Sequence, residues 1–278
     1  MNMIEASLEK RSIYIGRRII ADKDPGLAGI IKKKIDWSAL NSYKNPELSN
    51  NKVLLNDSEL KEFRDYIKKI NLFLKSFLTY HFALTIKDWA DIDANSVVLI
   101  DDTENTCYGS FYFFDQVIAL SRTTIWSGGN DKVLLNFAHT LLHELIHAQS
   151  THVFTINKKQ SSQPAAFQKS AIARQGLYYT NTKTNALDEA VTEILAIQAT
   201  LEYFKDEDIS NKVSISYQNY IQGLTNSLES ISKDDNIQSE LFAALVLHKF
   251  GAIDYQELSA EFAKRNAASA LEPLFLMR

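Results

Sequence analysis

The chain has 278 residues, of which 45% are hydrophobic and 23% charged, and a formal net charge of −4. That length is enough to bury a core without outside help, and that balance argues against a general nucleic-acid binder. Its single cysteine, Cys107, excludes an intrachain disulfide, and nine glycines with four prolines leave no room for long low-complexity linkers.

Residues 1–10 carry Glu5 and Glu9 and no apolar run, so they do not read as an ordinary secretory signal. The expected location is cytoplasmic, or outside the cell by a route without a recognisable signal peptide. From residue 1 to 34 there are eight Lys/Arg against four acids. Lys32-Lys33-Lys34 could touch phosphate, but a solvated basic face accounts for it. Ser12–Gly16 and Arg18–Ala21 have short strand-like runs, and Asp24-Pro25-Gly26 is a turn signal. The Asn- and Ser-rich stretch 41–56 reads as an exposed connection. We therefore divide the chain into an N-terminal extension packed on the core, 1–56, and a main domain, 57–278.

Asp57-Ser58 can cap a long helix whose apolar residues, from Leu60 through Ile67 and Leu74 to Leu78, recur at helical spacing. Its Leu/Phe-rich part is interrupted by Lys75 and His81, too polar to span a bilayer, and no transmembrane segment is expected. Ser96–Ile100 reads as a buried strand. Tyr108–Phe114 and Val117–Ser121 read as two further strands joined around Asp115-Gln116. Ser127-Gly-Gly-Asn130-Asp131 supplies a turn and an N-cap, and a helix is predicted from about Lys132 to Ser150.

On that helix stands His143-Glu144-Leu-Ile-His147. A spacing of four places both imidazoles on one face, close enough to grip one ion. The H-E-x-x-H pattern is that of two zinc ligands with a general-base glutamate between them. His139 lies one turn earlier and drifts off that face, a place for packing or support rather than ligation. Catalytic zinc takes three protein ligands and keeps a fourth position open. The third donor is either His152 or a downstream carboxylate. His152, five residues past His147, is poorly placed to fold back. The stretch Asn185–Ala196 reads as a second helix with Glu189 and Glu193 on one face.

At this point the chain resembles the gluzincin clan of zinc metallopeptidases, the thermolysin-like arrangement. The resemblance covers roughly residues 105–200. In that clan a Glu ligand on a following helix precedes an acidic residue by four positions. It implies His143, His147 and Glu189 as ligands of one Zn2+ per chain, Glu144 as the base, and Glu193 as the acid orienting a ligand imidazole. It also implies an α+β, zincin-like fold: a small mixed sheet with the active-site helix (96–150), then the second ligand helix and a helical C-terminal subdomain (185–278). In zincins the strand ahead of the helix is a sheet edge that lines the cleft and can accept an extended peptide. A tyrosine shortly before the Glu ligand often stabilises the oxyanion there. Tyr178 and Tyr179 precede Glu189 by 11 and 10 residues, with Tyr217 and His248 as later alternatives.

The gap of 42 residues between His147 and Glu189 is longer than in thermolysin. The polar stretch 151–184 takes up the excess and reads as a surface insertion, a lid or substrate-selecting loop. The expected function is a zinc metalloendopeptidase acting on a protein or peptide substrate, either a delivered effector or toxin or a housekeeping enzyme. One alternative is a SprT-like peptidase, whose third histidine is not found between His152 and His248. The other is a zinc-binding module without catalysis, which would have no use for Glu144. Beyond Tyr203, helices are predicted over 213–231, 237–250 and 255–277, with Tyr217, Ile221, Leu224, Leu228 and Ile231 as one buried stripe.

Overall fold

The computed structural model describes residues 13–15, 18–21, 57–84, 89, 92, 96–101, 108–112, 117–122, 129–155, 172–179, 185–205 and 216–277. The fold is mixed α+β and mostly helical. In chain order the described elements are β1 (Ile13–Ile15), β2 (Arg18–Ala21), α1 (Asp57–Phe82), β3 (Val97–Ile100), β4 (Gly109–Tyr112), β5 (Val117–Ser121) and α2 (Gly129–Gln149). Next come β6 (His152–Thr155), β7 (Ile172–Gln175), β8 (Tyr178–Tyr179), α3 (Ala186–Tyr203), α4 (Gln218–Ile231), α5 (Asp235–Lys249), α6 (Tyr255–Lys264) and α7 (Ala268–Phe275).

Helix α2 is the centre of the packing. From Leu135 to Thr151 nearly every side chain is buried, including its polar members His139, Thr140, His143 and Glu144. A helix enclosed along this length has little solvated face to fill with charge, so apolar residues occur all round it and its polar members must find partners inside the protein. It is covered by α1, by β4 and β5, and by α3.

The sheet over α2 has the order β3-β5-β4, with β3 parallel and β4 antiparallel to β5. Val117–Ser121, the strand next before the helix in sequence, is therefore central. The edges among the described strands are β3 and, one hairpin arm before β5, Gly109–Tyr112. Gly109 lets this edge approach the helix: a Cβ there would lie 2.7 Å from Thr140 Cγ2 and 3.1 Å from Glu144 Cγ, closer than ordinary side-chain packing.

The stretch read as a surface insertion contributes strands instead. β6, β7 and β8 form an antiparallel ladder, β1 and β2 extend it on the other side, and the order is β2-β1-β6-β7-β8. Residues 156–171 and 180–184, most of the remaining insertion, lie outside the described residues, as does the lid role assigned there; so does most of 1–56.

The predicted helix over 255–277 is two helices. It stops at Lys264, Asn266 takes φ +58°, and the Ala267 N–H returns to the Phe262 carbonyl, closing the end as a left-handed cap does. The expected stripe on α4 is narrower too: Leu224 and Leu228 are buried, whereas Tyr217 is 41% exposed. Among the described residues no helix is long and apolar enough to cross a membrane.

Candidate metal centre

Two adjoining helices bring the predicted donors together. Glu189 lies in the first turn of α3, which packs along α2 and faces the turn carrying His143 and His147. His147 Nε2 lies 3.2 Å from His143 Nε2 and 3.2 Å from Glu189 Oε2, and His143 Nε2 lies 3.4 Å from the same carboxylate oxygen. Three donors on one tetrahedral zinc, each about 2.0–2.1 Å from it, stand about 3.3–3.4 Å apart. The near-equilateral triangle matches that face, and its two imidazoles and one carboxylate are a donor set that divalent transition ions accept. His143, His147 and Glu189 could thus hold a metal ion.

Each imidazole is held from behind by a carboxylate. Glu193 Oε2 accepts from His143 Nδ1 at 2.7 Å, and Asp188 Oδ2 pairs with His147 Nδ1 at 3.1 Å. A carboxylate on Nδ1 fixes the ring and leaves Nε2 as the donor to a metal. Glu193 is itself fully engaged, by His139 Nε2 at 3.2 Å and by the Ser216 backbone N–H at 2.8 Å. His139 completes this chain through Thr200 Oγ1 at 3.1 Å, so it supports Glu193 rather than joining the donor triangle.

Asp188 is the residue whose role sequence reasoning missed. It stands one position before Glu189 and turns by a helical step toward the other histidine; an acid beside a ligand glutamate was the available signal. Its Oδ1 accepts from the Leu177 N–H at 2.7 Å and from Lys249 Nζ at 2.5 Å. Lys249, at the end of α5, is 0% exposed, and nothing in its local sequence marks it as a partner of the site.

The electrostatics follow from crowding charges in a dry place. Burial alone would depress the pKa of His143, but hydrogen bonds to Glu189 and Glu193 and the field of Glu144 overcome it and raise it to about 10. His147 is likewise opposed by burial and raised to about 9 by Glu189 and Asp188. Burial works to raise Glu189 and Asp188 as well, yet their cationic neighbours hold both well below the usual carboxylate range. Glu193, with His139 and His143 upon it, is lowered to about 2.

Glu144 behaves differently. Burial pushes its carboxyl up, beyond what His143 and His147 pull down, while the Phe111 backbone hydrogen-bonds it from β4. It is 6% exposed and lines both recesses that open beside the donors.

Of the tyrosines, Tyr178 lines the recess that contains His147 and Glu189. Tyr179 is in β8, and its side chain lies outside the described residues. Tyr217 stacks on His143, with ring centroids 5.6 Å apart and planes at 16°, and borders both recesses. Its φ of +56° at the N-cap of α4 is a conformation non-glycine residues rarely keep. His248 is fully buried with Nδ1 on the Ile253 carbonyl, and it lines neither recess. His152 opens β6, paired with Gln175, and its side chain lies outside the described residues.

No protein-family model, curated protein or solved structure matches this chain.

Proposed function

We propose that this chain is a zinc-dependent metalloendopeptidase that hydrolyses peptide bonds in a protein or peptide substrate, with a gluzincin-type ligand set. The observation that carries the reading is the triangle of His143 Nε2, His147 Nε2 and Glu189 Oε2, with a separate carboxylate behind each imidazole and Glu144 alongside. A third donor that is a carboxylate on a second helix favours this ligand set over one completed by a distant histidine. A buried acid at the mouth of the site favours catalysis over a closed structural centre, which has no need of a base.

A zinc ion held by His143, His147 and Glu189 would supply Lewis acidity toward the scissile carbonyl and the attacking water. The chain's own residues do the rest. Glu144, a buried carboxylate beside the donors whose pKa burial raises, accepts the proton of the attacking water and delivers it to the leaving amine. Edge strand β4, with Ser110 and Phe111 on the cleft, offers backbone groups to an extended substrate. Tyr217, over His143 and facing both recesses, is the tyrosine we place beside the substrate carbonyl as oxyanion donor, with Tyr178 as the other choice in the cleft.

The decisive test is Glu144→Gln. The variant is expected to retain about one zinc per chain and to lose about 10²–10⁴-fold in kcat on a peptide pool. Unchanged cleavage would remove Glu144 from the mechanism; cleavage absent from the zinc-loaded wild type would leave only metal binding.

A further inference from the structure

Two recesses open beside Glu144. The larger, of about 420 Å³, contains all three donors. The smaller, of about 240 Å³, borders His143 and Glu144 but neither His147 nor Glu189, and runs between β4, α2 and the Ser216-Tyr217 turn. It has the size of one amino-acid side chain with room to spare, and no step of the proposed hydrolysis uses its far wall.

The recess is lined by more apolar than polar surface, and the polar groups of that wall are only partly committed. His139 and the Ser216 N–H are spent on Glu193. The side chains of Asn136, Thr140 and Ser216, by contrast, make no hydrogen bond among the described residues. Thr140 is 6% exposed, yet its hydroxyl is not sealed from solvent, and the residue lines the recess. The Thr140 methyl meanwhile packs beneath Gly109, so β4 and this hydroxyl are held in one place.

We infer that this recess is a specificity subsite that takes an uncharged, hydrogen-bonding side chain, Asn, Gln, Ser or Thr, at one position flanking the scissile bond. The inference rests on the peptidase reading for the words "scissile bond" and on the recess alone for its chemistry. An apolar side chain would gain burial against the apolar part of the lining but would strip water from an amide and two hydroxyls without replacing those bonds. An acidic one would face Glu144 and Glu193. A basic one would find the Glu193 oxygens taken and would pair with Glu144, the group required to accept a proton. An amide or hydroxyl replaces the displaced water bond for bond, and a site built that way discriminates against isosteres lacking the group.

The test uses the full chain, zinc-loaded, in two arms. In the first, Glu144→Gln protein is offered a pool of blocked octapeptides randomised at the central positions, and retained peptides are sequenced by mass spectrometry. One position is expected to be enriched about tenfold in Asn, Gln, Ser or Thr over Leu. Adding Asn136→Leu and Thr140→Val, which nearly conserve volume, should reverse that preference toward Leu at the same position while zinc content stays the same. Enrichment of Leu, Phe or a charged residue, no enrichment at any position, or a preference unmoved in the variants overturns the inference. In the second arm wild type digests the same pool, and the cut sites are read. Polar enrichment in the binding arm with no Glu144-dependent cuts would retain the subsite and reject the peptidase; cuts flanked by aliphatic residues would do the opposite.

Discussion

His143 and His147 are each gripped from behind by an acid, and at the scale of single residues that arrangement makes affinity for a metal a matter of proton competition. In the metal-free protein both imidazoles are raised, to about 10 and about 9. A raised folded-state pKa contributes stability that is complete below the ordinary histidine value and declines as pH climbs toward 9–10. Asp188, Glu189 and Glu193 are lowered, so their contribution is complete above the ordinary carboxylate range and is lost as pH falls below it. The metal-free chain is therefore expected to be most stable between about pH 4.5 and 6.5 and to weaken toward pH 9, followed by thermal melts. Metal needs neutral imidazoles, so the stabilisation by zinc should grow over the same rise in pH, and binding at pH 7 should release about two protons per ion. Calorimetry in buffers of different ionisation heat measures that release; a value near zero would contradict the assignment of both histidines. Removing a supporting acid, by Asp188→Asn or Glu193→Gln, should weaken zinc affinity about 10–100-fold in chelator competition.

At the scale of elements, the site depends on how closely β4 and α2 approach. Gly109 stands where any side chain would press on Thr140 and Glu144. Gly109→Ala is predicted to cost about 1–3 kcal/mol in urea unfolding, as overpacking does, and to lower kcat by shifting Glu144, while zinc affinity changes less because the nearest neighbours of the added methyl, Thr140, Glu144 and Leu120, include no ligand. Equal losses of metal and turnover would mean that the strand positions the ligands as well. α3 supplies two kinds of support within about a turn and a half: Glu189 to the triangle, and Asp188 and Glu193 to the imidazoles behind it. The N-cap of α4, Tyr217, lies in the left-handed region and borders the cleft instead of continuing the buried stripe that periodicity predicts.

The whole molecule is joined through Asp188. Lys249, fully enclosed at the end of α5, reaches it at 2.5 Å, and Gly176, at φ +54°, leaves the space in which that pair meets. Arg174 binds the Gly176 carbonyl at 2.6 Å and also the His248 carbonyl, and Thr151 takes the Lys249 carbonyl with its N–H at 2.8 Å. The end of α2, the β7–β8 turn, the start of α3 and the end of α5 thus share one polar junction behind His147. Lys249→Met, which strands a buried carboxylate, is expected to cost about 3–5 kcal/mol of stability in chemical denaturation. Zinc should restore part of that loss, since it stabilises the folded state alone. No change in stability would show that solvent reaches Asp188 in the folded protein.

What the amino-acid order determined by itself was whatever depends on local spacing. A four-residue interval on a helix aligns His143 with His147 and Glu189 with Glu193, and apolar periodicity marks the helices and the strands ahead of α2, because neighbours along a helix or strand are neighbours in space whatever surrounds them. The polar stretch after Thr151 misled for the same reason in reverse: strands β6 to β8 draw their hydrogen bonds from distant segments such as β1, and no local pattern records that. Only the tertiary structure decided that Glu189 meets both imidazoles at one point, that Asp188 stands behind His147, that Lys249 neutralises Asp188, and that Tyr217 rather than a core residue begins α4. The pairings among these charged groups join positions 41 to 61 apart, and what selects them is the burial of charge: a buried acid must find a cation or a donor, wherever in the chain that partner lies.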